Sequence, residues 1–393
     1  DYDFLIHLDN KLFSPDEEDG LLCFFNNYNF TVTEDTPLDV EVALDPEMLG
    51  KVFENLLAEQ ERKAKGTFYT PRVIVHAMCR DALAEYLADA AGLGPEAATA
   101  LLADPEDSHL TVAQAGAVEK ALDALRCLDP AVGSGAFLVG MLQEMIGLKL
   151  ACARAKQANI QPGSAFVADW KRHFIQDCLY GVDIKREAIE IAKLRLWLSI
   201  VVDLERSQVQ PLPNLDYKLM DGNSLVETLG GRPILRNPNA PAATLGLYDS
   251  QDALDKLHAL QDGFFQAAPG EKKAIQEQIR ALETEFLQSH IQERRDDIAG
   301  RVKNPGAGKK ALTSRQLAAL TQELDALDQL SRDVKQGRPL PFFLYSLHFG
   351  HVFKDKGGFD VVIANPPYIA TQGVNQLNYK DDLEAQYGYR RDL

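Results

Sequence analysis

Phe359-Asp360-Val361-Val362-Ile363-Ala364-Asn365-Pro366-Pro367-Tyr368-Ile369 decides how this chain is read. Val361, Val362 and Ile363 form a short β-branched apolar run, the pattern of a strand buried in a parallel sheet. The run stops at Asn365-Pro366-Pro367-Tyr368, because two consecutive prolines carry no backbone N–H to continue a ladder. The chain must leave the sheet there with fixed φ angles and an aromatic at the tip. In open α/β sheets ligands sit beyond the carboxyl ends of strands, which is where this tetrad falls. Asn365 brings a side-chain carbonyl, and Pro366 a backbone carbonyl with no N–H beside it. Two such acceptors can bond both N–H groups of one exocyclic amine. Tyr368 offers a flat face for a base taken out of a duplex, a stacking worth roughly 1–3 kcal/mol. The plainer alternative is a strand-ending Pro-Pro turn with a partly buried tyrosine.

Upstream, Cys127-Leu128-Asp129-Pro130-Ala131-Val132-Gly133-Ser134-Gly135-Ala136-Phe137-Leu138 reads as strand, glycine-rich turn, then helix. Gly133 and Gly135 permit positive φ and a close backbone approach to a ligand. The spacing is not that of a phosphate-cradling GxxxxGK[ST] loop, and an Asp at the strand end suits a ligand carrying an amine or hydroxyls. Leu179 to Asp183 (LYGVD) is a second strand ending in an acid, with a helix to about Asp203. An acid in that place commonly accepts from ribose hydroxyls, and otherwise simply caps the helix. Tyr217 to Met220 predicts a third strand, leading into Asp221-Gly222-Asn223-Ser224-Leu225. The alternating β/α order predicts an α/β fold with a doubly wound sheet.

Ahead of these lies GTFYTPRVIVHAMCRDAL from Gly66. Thr70-Pro71 predicts a capping residue followed by a first-turn proline, with Val73, Ile74, Ala77, Met78 and Leu83 turned inward. The loop also stands at a helix N-terminus, where a ligand carboxylate is favoured. Residues 1–60 are expected to be a lead-in of short strands and a helix opening at Asp45-Pro46. The catalytic unit is expected over 61–230 and 338–393, interrupted by a helical insertion over 231–337. In that insertion three apolar stripes recur at 3/4 spacing: Leu254, Leu257, Leu260, Phe264; Ile275, Ile279, Leu282, Phe286; and Leu317, Leu320, Leu324, Leu327, Leu330. Thr313 and Gln316 open the third as a capping box. A helical hairpin or short coiled-coil arm follows, its basic linker Arg301 to Lys310 a solvated tip or a contact for a phosphate backbone.

At 393 residues, with 46% hydrophobic and 25% charged content, the chain has the balance of an ordinary globular protein with a large core. Its longest apolar run, Leu194 to Leu204, holds Arg195 and Asp203 and is too short to span a bilayer. The five cysteines are scattered, odd in number and without a CxxC pair. They point to a reduced, cytosolic compartment rather than to a disulfide or metal framework. A net charge of −17 argues against nonspecific nucleic-acid affinity of the chain as a whole. The sequence begins at Asp1 rather than Met and stops soon after the NPPY corner, so a basic recognition region is expected outside it.

Taken in order, GTFYTP, DPAVGSGAFL, GVDI, GNSL and NPPY resemble the amino-type DNA methyltransferases, specifically N6-adenine enzymes with the cofactor motifs ahead of the catalytic one. DPEMLGKVFENLL and GGFDVVIANPPYI look closest to methylase regions of single-chain restriction–modification enzymes and phage-defence methylases. The resemblance implies a Rossmann-like S-adenosylmethionine-dependent fold. Thr70 and its neighbour Tyr69 would hold the methionine carboxylate, while Asp129, Ala131, Gly133 and Gly135 would line the methionine portion, with Asp129 near its amine. Asp183 would take the ribose hydroxyls and Ile184 would pack on the adenine. Asn223 stands where such families carry an acid contacting that adenine, with Asp221 as the alternative. Asn365, Pro366, Pro367 and Tyr368 would hold a flipped adenine of double-stranded DNA. The insertion is a possible surface for a protein partner; no membrane contact and no metal are expected.

Other readings stay open. NPPY also occurs in enzymes that methylate a glutamine amide in release factors and in some RNA methylases, although GTFYTP far upstream and the large insertion point away from them. A non-catalytic module of a defence complex fits the acidic balance. A nucleotide-dependent oxidoreductase is disfavoured, because DPAVGSG lacks the G-x-G-x-x-G pattern.

Overall fold

The computed structural model describes residues 70–202, 204, 215–229, 232–233, 248–267, 269–304, 312–338 and 340–366. Tyr69, Pro367, Tyr368, the lead-in of residues 1–60 and the linker beyond Asn304 lie outside the described residues. Strands β1 (Cys127–Asp129), β2 (Leu179–Asp183) and β3 (Leu219–Asp221) join a later strand, β6 (Val361–Val362), in one parallel sheet of order β3-β2-β1-β6. A short antiparallel pair, β4 (Thr228–Leu229) and β5 (Arg232–Pro233), stands apart from it.

Side chains alternate across the sheet as the two-residue period requires. Cys127, Leu179, Leu219, Val361 and Ile363 enter one apolar cluster. Helices α1 (Arg72–Ala90), α2 (Pro95–Ala103), α3 (Val112–Ala124), α4 (Ala136–Ala155), α5 (Ala165–His173) and α6 (Arg186–Val201) build the rest of it. Leu128, Tyr180 and Val182 face the other way, onto Phe343, Phe349 and Val352. Both faces are therefore covered, which is why β1 and β2 read as unbroken apolar runs. The third strand is displaced by two residues from its expected start: Tyr217 has left the ladder to stack edge-on against Phe264, ring centroids 4.9 Å apart.

Helix α1 buries a face that shares only Leu83 with the one expected. Val73, Ile74, Ala77 and Met78 are exposed, whereas Val75, Cys79 and Leu87 join Leu83 in pointing inward. The reason lies on α4. A Cβ built on Gly140 would fall 2.5 Å from Val75 Cγ1, so Val75 occupies the space that the glycine leaves. One helix among the described residues, α4, is long and apolar enough to cross a membrane; 78% of its most apolar window is buried inside the molecule.

Between β5 and β6 run α7 (Tyr248–Gln266), α8 (Pro269–Lys303), α9 (Ser314–Gln336), α10 (Tyr345–His348) and α11 (Gly350–Lys356). The first three hold a core of their own with Leu257, Phe264, Ile279, Phe286, Leu327 and Leu330. At 35 residues, α8 is about 50 Å long at ~1.5 Å per residue. Thr313 and Gln316 close the expected capping box on α9. The three helices meet the sheet layer through Tyr217, Val226, Phe342, Leu344 and Leu347, which share their core.

Candidate active site

Because all four strands of the sheet run the same way, Asp129, Asp183 and Asp221 end their strands at one edge. Asn365 follows β6 out at that same edge, since Leu128 pairs with Val362.

At the end of β1, Asp129 is 1% exposed. Its Oδ1 accepts from the Ala131 N–H at 3.0 Å, while its Oδ2 is buried with no hydrogen-bond partner among the described residues. Burial pushes the carboxyl up to about 8; the Ala131 N–H opposes the shift and the Asp183 charge adds to it. An orphaned buried acceptor costs roughly 1–3 kcal/mol, which a cationic amine opposite Oδ2 would recover. The turn that follows has two glycines at positive φ, 50° at Gly133 and 88° at Gly135. Around Gly133 a Cβ would meet nothing within 4 Å, so the turn faces open space there. At Gly135 the added atom would lie 3.1 Å from Ala192 Cβ, so the first turn of α4 rests directly on α6.

Asp183 braces this turn. Its Oδ2 accepts from the Gly133 N–H at 2.9 Å and its Oδ1 from the Lys185 N–H at 2.8 Å. Burial raises its carboxyl above the ordinary value, and those backbone donors work against the shift. Its remaining lone-pair capacity is open to hydroxyl donors. Next to it Ile184 is 64% exposed, an apolar side chain held out at the rim. Gly181 belongs to the same construction: a Cβ there would fall 2.9 Å from Val132 Cγ2, and the Val132 N–H reaches the Val182 carbonyl at 3.0 Å.

Asn223 is buried and caps its own turn, Oδ1 accepting from the Leu225 N–H at 3.3 Å. Asp221 is the exposed acid at the end of β3. Beyond it a cleft of about 640 Å³ opens between α6 and α8, with Arg186 and Lys193 on one wall and Arg280 and Glu283 on the other.

The longest-range contact of the site joins residues 295 apart in sequence: Asn365 Nδ2 donates to Thr70 Oγ1 at 3.0 Å. Thr70 does not cap its helix. Pro71 holds the cap position, α1 begins at Arg72, and among the described residues no side chain caps it. The capping reading is thus overturned, and the hydroxyl serves Asn365 instead. Pro366 is exposed beside Asn365. Sequence reasoning brought Thr70, Asp129, Ala131, Gly133, Gly135, Asp183, Ile184, Asn365 and Pro366 to this edge of the sheet, while Asn223 turns into its own loop.

Two further supports went unnoticed in the sequence. Glu144, buried on α4, accepts from His76 Nδ1 at 2.6 Å and from Arg80 Nε at 3.0 Å, gripping α1 whose first residues follow Thr70. Burial pushes Glu144 up, but the bonds from His76 and Arg80 outweigh it and hold the carboxyl below its ordinary value. Arg195, 1% exposed, donates from Nη1 to the Ser134 carbonyl at 2.8 Å and to its Oγ at 3.0 Å. A charged residue inside an apolar helical run was the available signal for both.

The residues fit a cofactor with an amine, hydroxyls and a flat apolar ring: an unpartnered acceptor at Asp129, free lone pairs at Asp183 and an exposed apolar wall at Ile184. A protein of Methanocaldococcus jannaschii named as a type II restriction enzyme and methyltransferase is 28% identical over 394 residues, 88% of this chain and 32% of that protein. The chain thus spans about a third of that relative's length. Residues 106–211, which carry β1, the glycine turn and α6, match the family model for the MmeI DNA-methyltransferase domain. Residues 177–393 match the Eco57I restriction-modification methylase model across more than half of the chain, from β2 through the helical insertion to the Asn365 corner, and this chain belongs to that family.

Proposed function

We propose that this chain transfers a methyl group from S-adenosylmethionine to the N6 amine of an adenine flipped out of double-stranded DNA, in a cytosolic restriction–modification or phage-defence system. The Asn365–Thr70 hydrogen bond carries the reading, because it ties Asn365, at the end of β6, to the residue just ahead of α1. Asp129 would receive the cofactor's ammonium, Asp183 its ribose hydroxyls and Ile184 its adenine, with Gly133 leaving room for the methionine portion. When bound, the cofactor supplies a methyl group already activated on a sulfonium, so no covalent enzyme intermediate is required. Asn365 Oδ1 and the Pro366 carbonyl accept from the two N–H groups of the target amine. They fix its orientation and draw density onto its nitrogen, so that positioning and electrostatics supply the rate. Tyr368 stacks on the base, a recognition region completes DNA selection, and the helical insertion is a surface for a protein partner.

Tritium transfer from labelled S-adenosylmethionine tests this with duplex DNA, RNA and protein as competing acceptors. Label in N6-methyladenine of DNA is the expected result. Asn365→Ala should reduce it at least about 10²-fold while cofactor affinity stays near the parent value. Label in RNA or in a protein glutamine, or a parent rate in the Asn365 variant, overturns the assignment. Cofactor binding without transfer to any acceptor would favour an assembly module.

A further inference from the structure

We propose that Thr70 is a positioning residue for the transfer step: its hydroxyl accepts from Asn365 Nδ2 and anchors that side chain at the end of β6, leaving Oδ1 for the acceptor amine. This rests on the methyl-transfer reading above. It assigns Thr70 a role distinct from holding a cofactor carboxylate.

The two ends of an asparagine amide are nearly the same size and opposite in chemistry, one accepting and the other donating two hydrogens. Only the accepting end can bond an amine N–H. An amide with its NH₂ turned to the target would oppose donor to donor, and the site would be filled but inert. The side chain must therefore be anchored with its accepting end toward the target. In this structure Nδ2 donates to Thr70 Oγ1 at 3.0 Å, and among the described residues Oδ1 has no hydrogen bond of its own. The hydroxyl is available because α1 does not use it as a cap, and Pro71 has no N–H to compete for it.

Thr70 is itself held in place. It precedes α1, which α4 grips through Glu144 and through Val75 set against Gly140. Because Gly135 stands at the N-cap of α4, the glycine turn and the residue that anchors Asn365 ride on one packed pair of helices. A shift of about 1 Å in such a group can cost roughly 10²-fold in rate.

Thr70→Val and Thr70→Ser in the full-length protein separate this role from cofactor binding. Circular dichroism and thermal melting establish that both variants are folded, and kcat is measured at saturating S-adenosylmethionine alongside cofactor Kd. Thr70→Val should lower kcat by roughly 10²-fold with Kd changed less than about tenfold, the range of one lost hydrogen bond. Thr70→Ser, which keeps the hydroxyl, should recover most of the rate. A valine variant with parental kcat and only weakened cofactor binding overturns the inference, as does a serine variant no better than valine. Wild-type protein that transfers no methyl group to DNA overturns the proposed function and this inference with it.

Discussion

Asp129 sets burial against charge at a single side chain. Its carboxyl is raised from an ordinary 3.8 to about 8, chiefly because burial strips its water away. Between those values the native protein holds a proton that the unfolded chain has released, so this group's contribution to stability is fullest below about pH 4 and falls as pH rises toward 8. The slope is about 1.4 kcal/mol per pH unit, levelling off above 8. Asp129→Asn removes that titration, and urea midpoints measured from pH 5 to 9 should fall more steeply for the parent than for the variant. Parallel curves would show that Asp129 is ionised throughout. The same carboxyl links ligand and proton. A cation opposite Oδ2 favours the charged form, so S-adenosylmethionine binding at pH 7 should release close to one proton and tighten as pH approaches 8. Calorimetry in two buffers of different ionisation enthalpy reads that proton directly; equal heats in both would mean that the ammonium goes elsewhere.

At the scale of elements, α1 shows where a sequence stops being legible. β1 and β2 were readable because a strand covered on both faces has no polar alternation to hide it, and Asp129 and Asp183 stood out as acids ending apolar runs. Helix α1 carries apolar residues on more than one side, so its own pattern does not choose between Val73, Ile74 and Met78 and the true inward set. Gly140 on α4 chooses, by leaving room for Val75. Thr70 is ambiguous for a similar reason: a cap and a ligand-loop residue have the same chemistry, and only a partner 295 positions away decides between them. Gly140→Ala tests the α1–α4 contact. The added methyl, 2.5 Å from Val75 Cγ1, should cost about 1–3 kcal/mol and slow methyl transfer by moving Thr70. Adding Val75→Ala to the same chain should recover both. Loss of stability with an unchanged rate would uncouple the helix pair from Asn365.

For the whole molecule, the question is how an insertion as long as the α7–α9 layer leaves the β6 corner in place. Its apolar stripes were evident from 3/4 spacing, but the polar part of its joint to the sheet layer was not, because that part is made by singular contacts. His258, buried on α7, meets the Ser346 carbonyl from Nε2 at 3.1 Å, and Gln261 Nε2 donates to the Leu347 carbonyl at 3.1 Å. Both carbonyls belong to α10, and α11 follows at once and leads into β6. Gly350 makes the approach possible: a Cβ there would lie 1.8 Å from His258 Nε2, closer than any contact can be. Gly350→Ala must therefore expel the imidazole or part the layers. The expected cost is about 1–3 kcal/mol in urea unfolding, with a drop in transfer rate if α11 shifts β6. His258→Ala vacates the space, so the two changes together should cost less than their sum, a coupling of roughly 0.5–3 kcal/mol. Strict additivity would mean that the helical layer rests on the sheet through its apolar contacts alone, and that β6 is aimed without it.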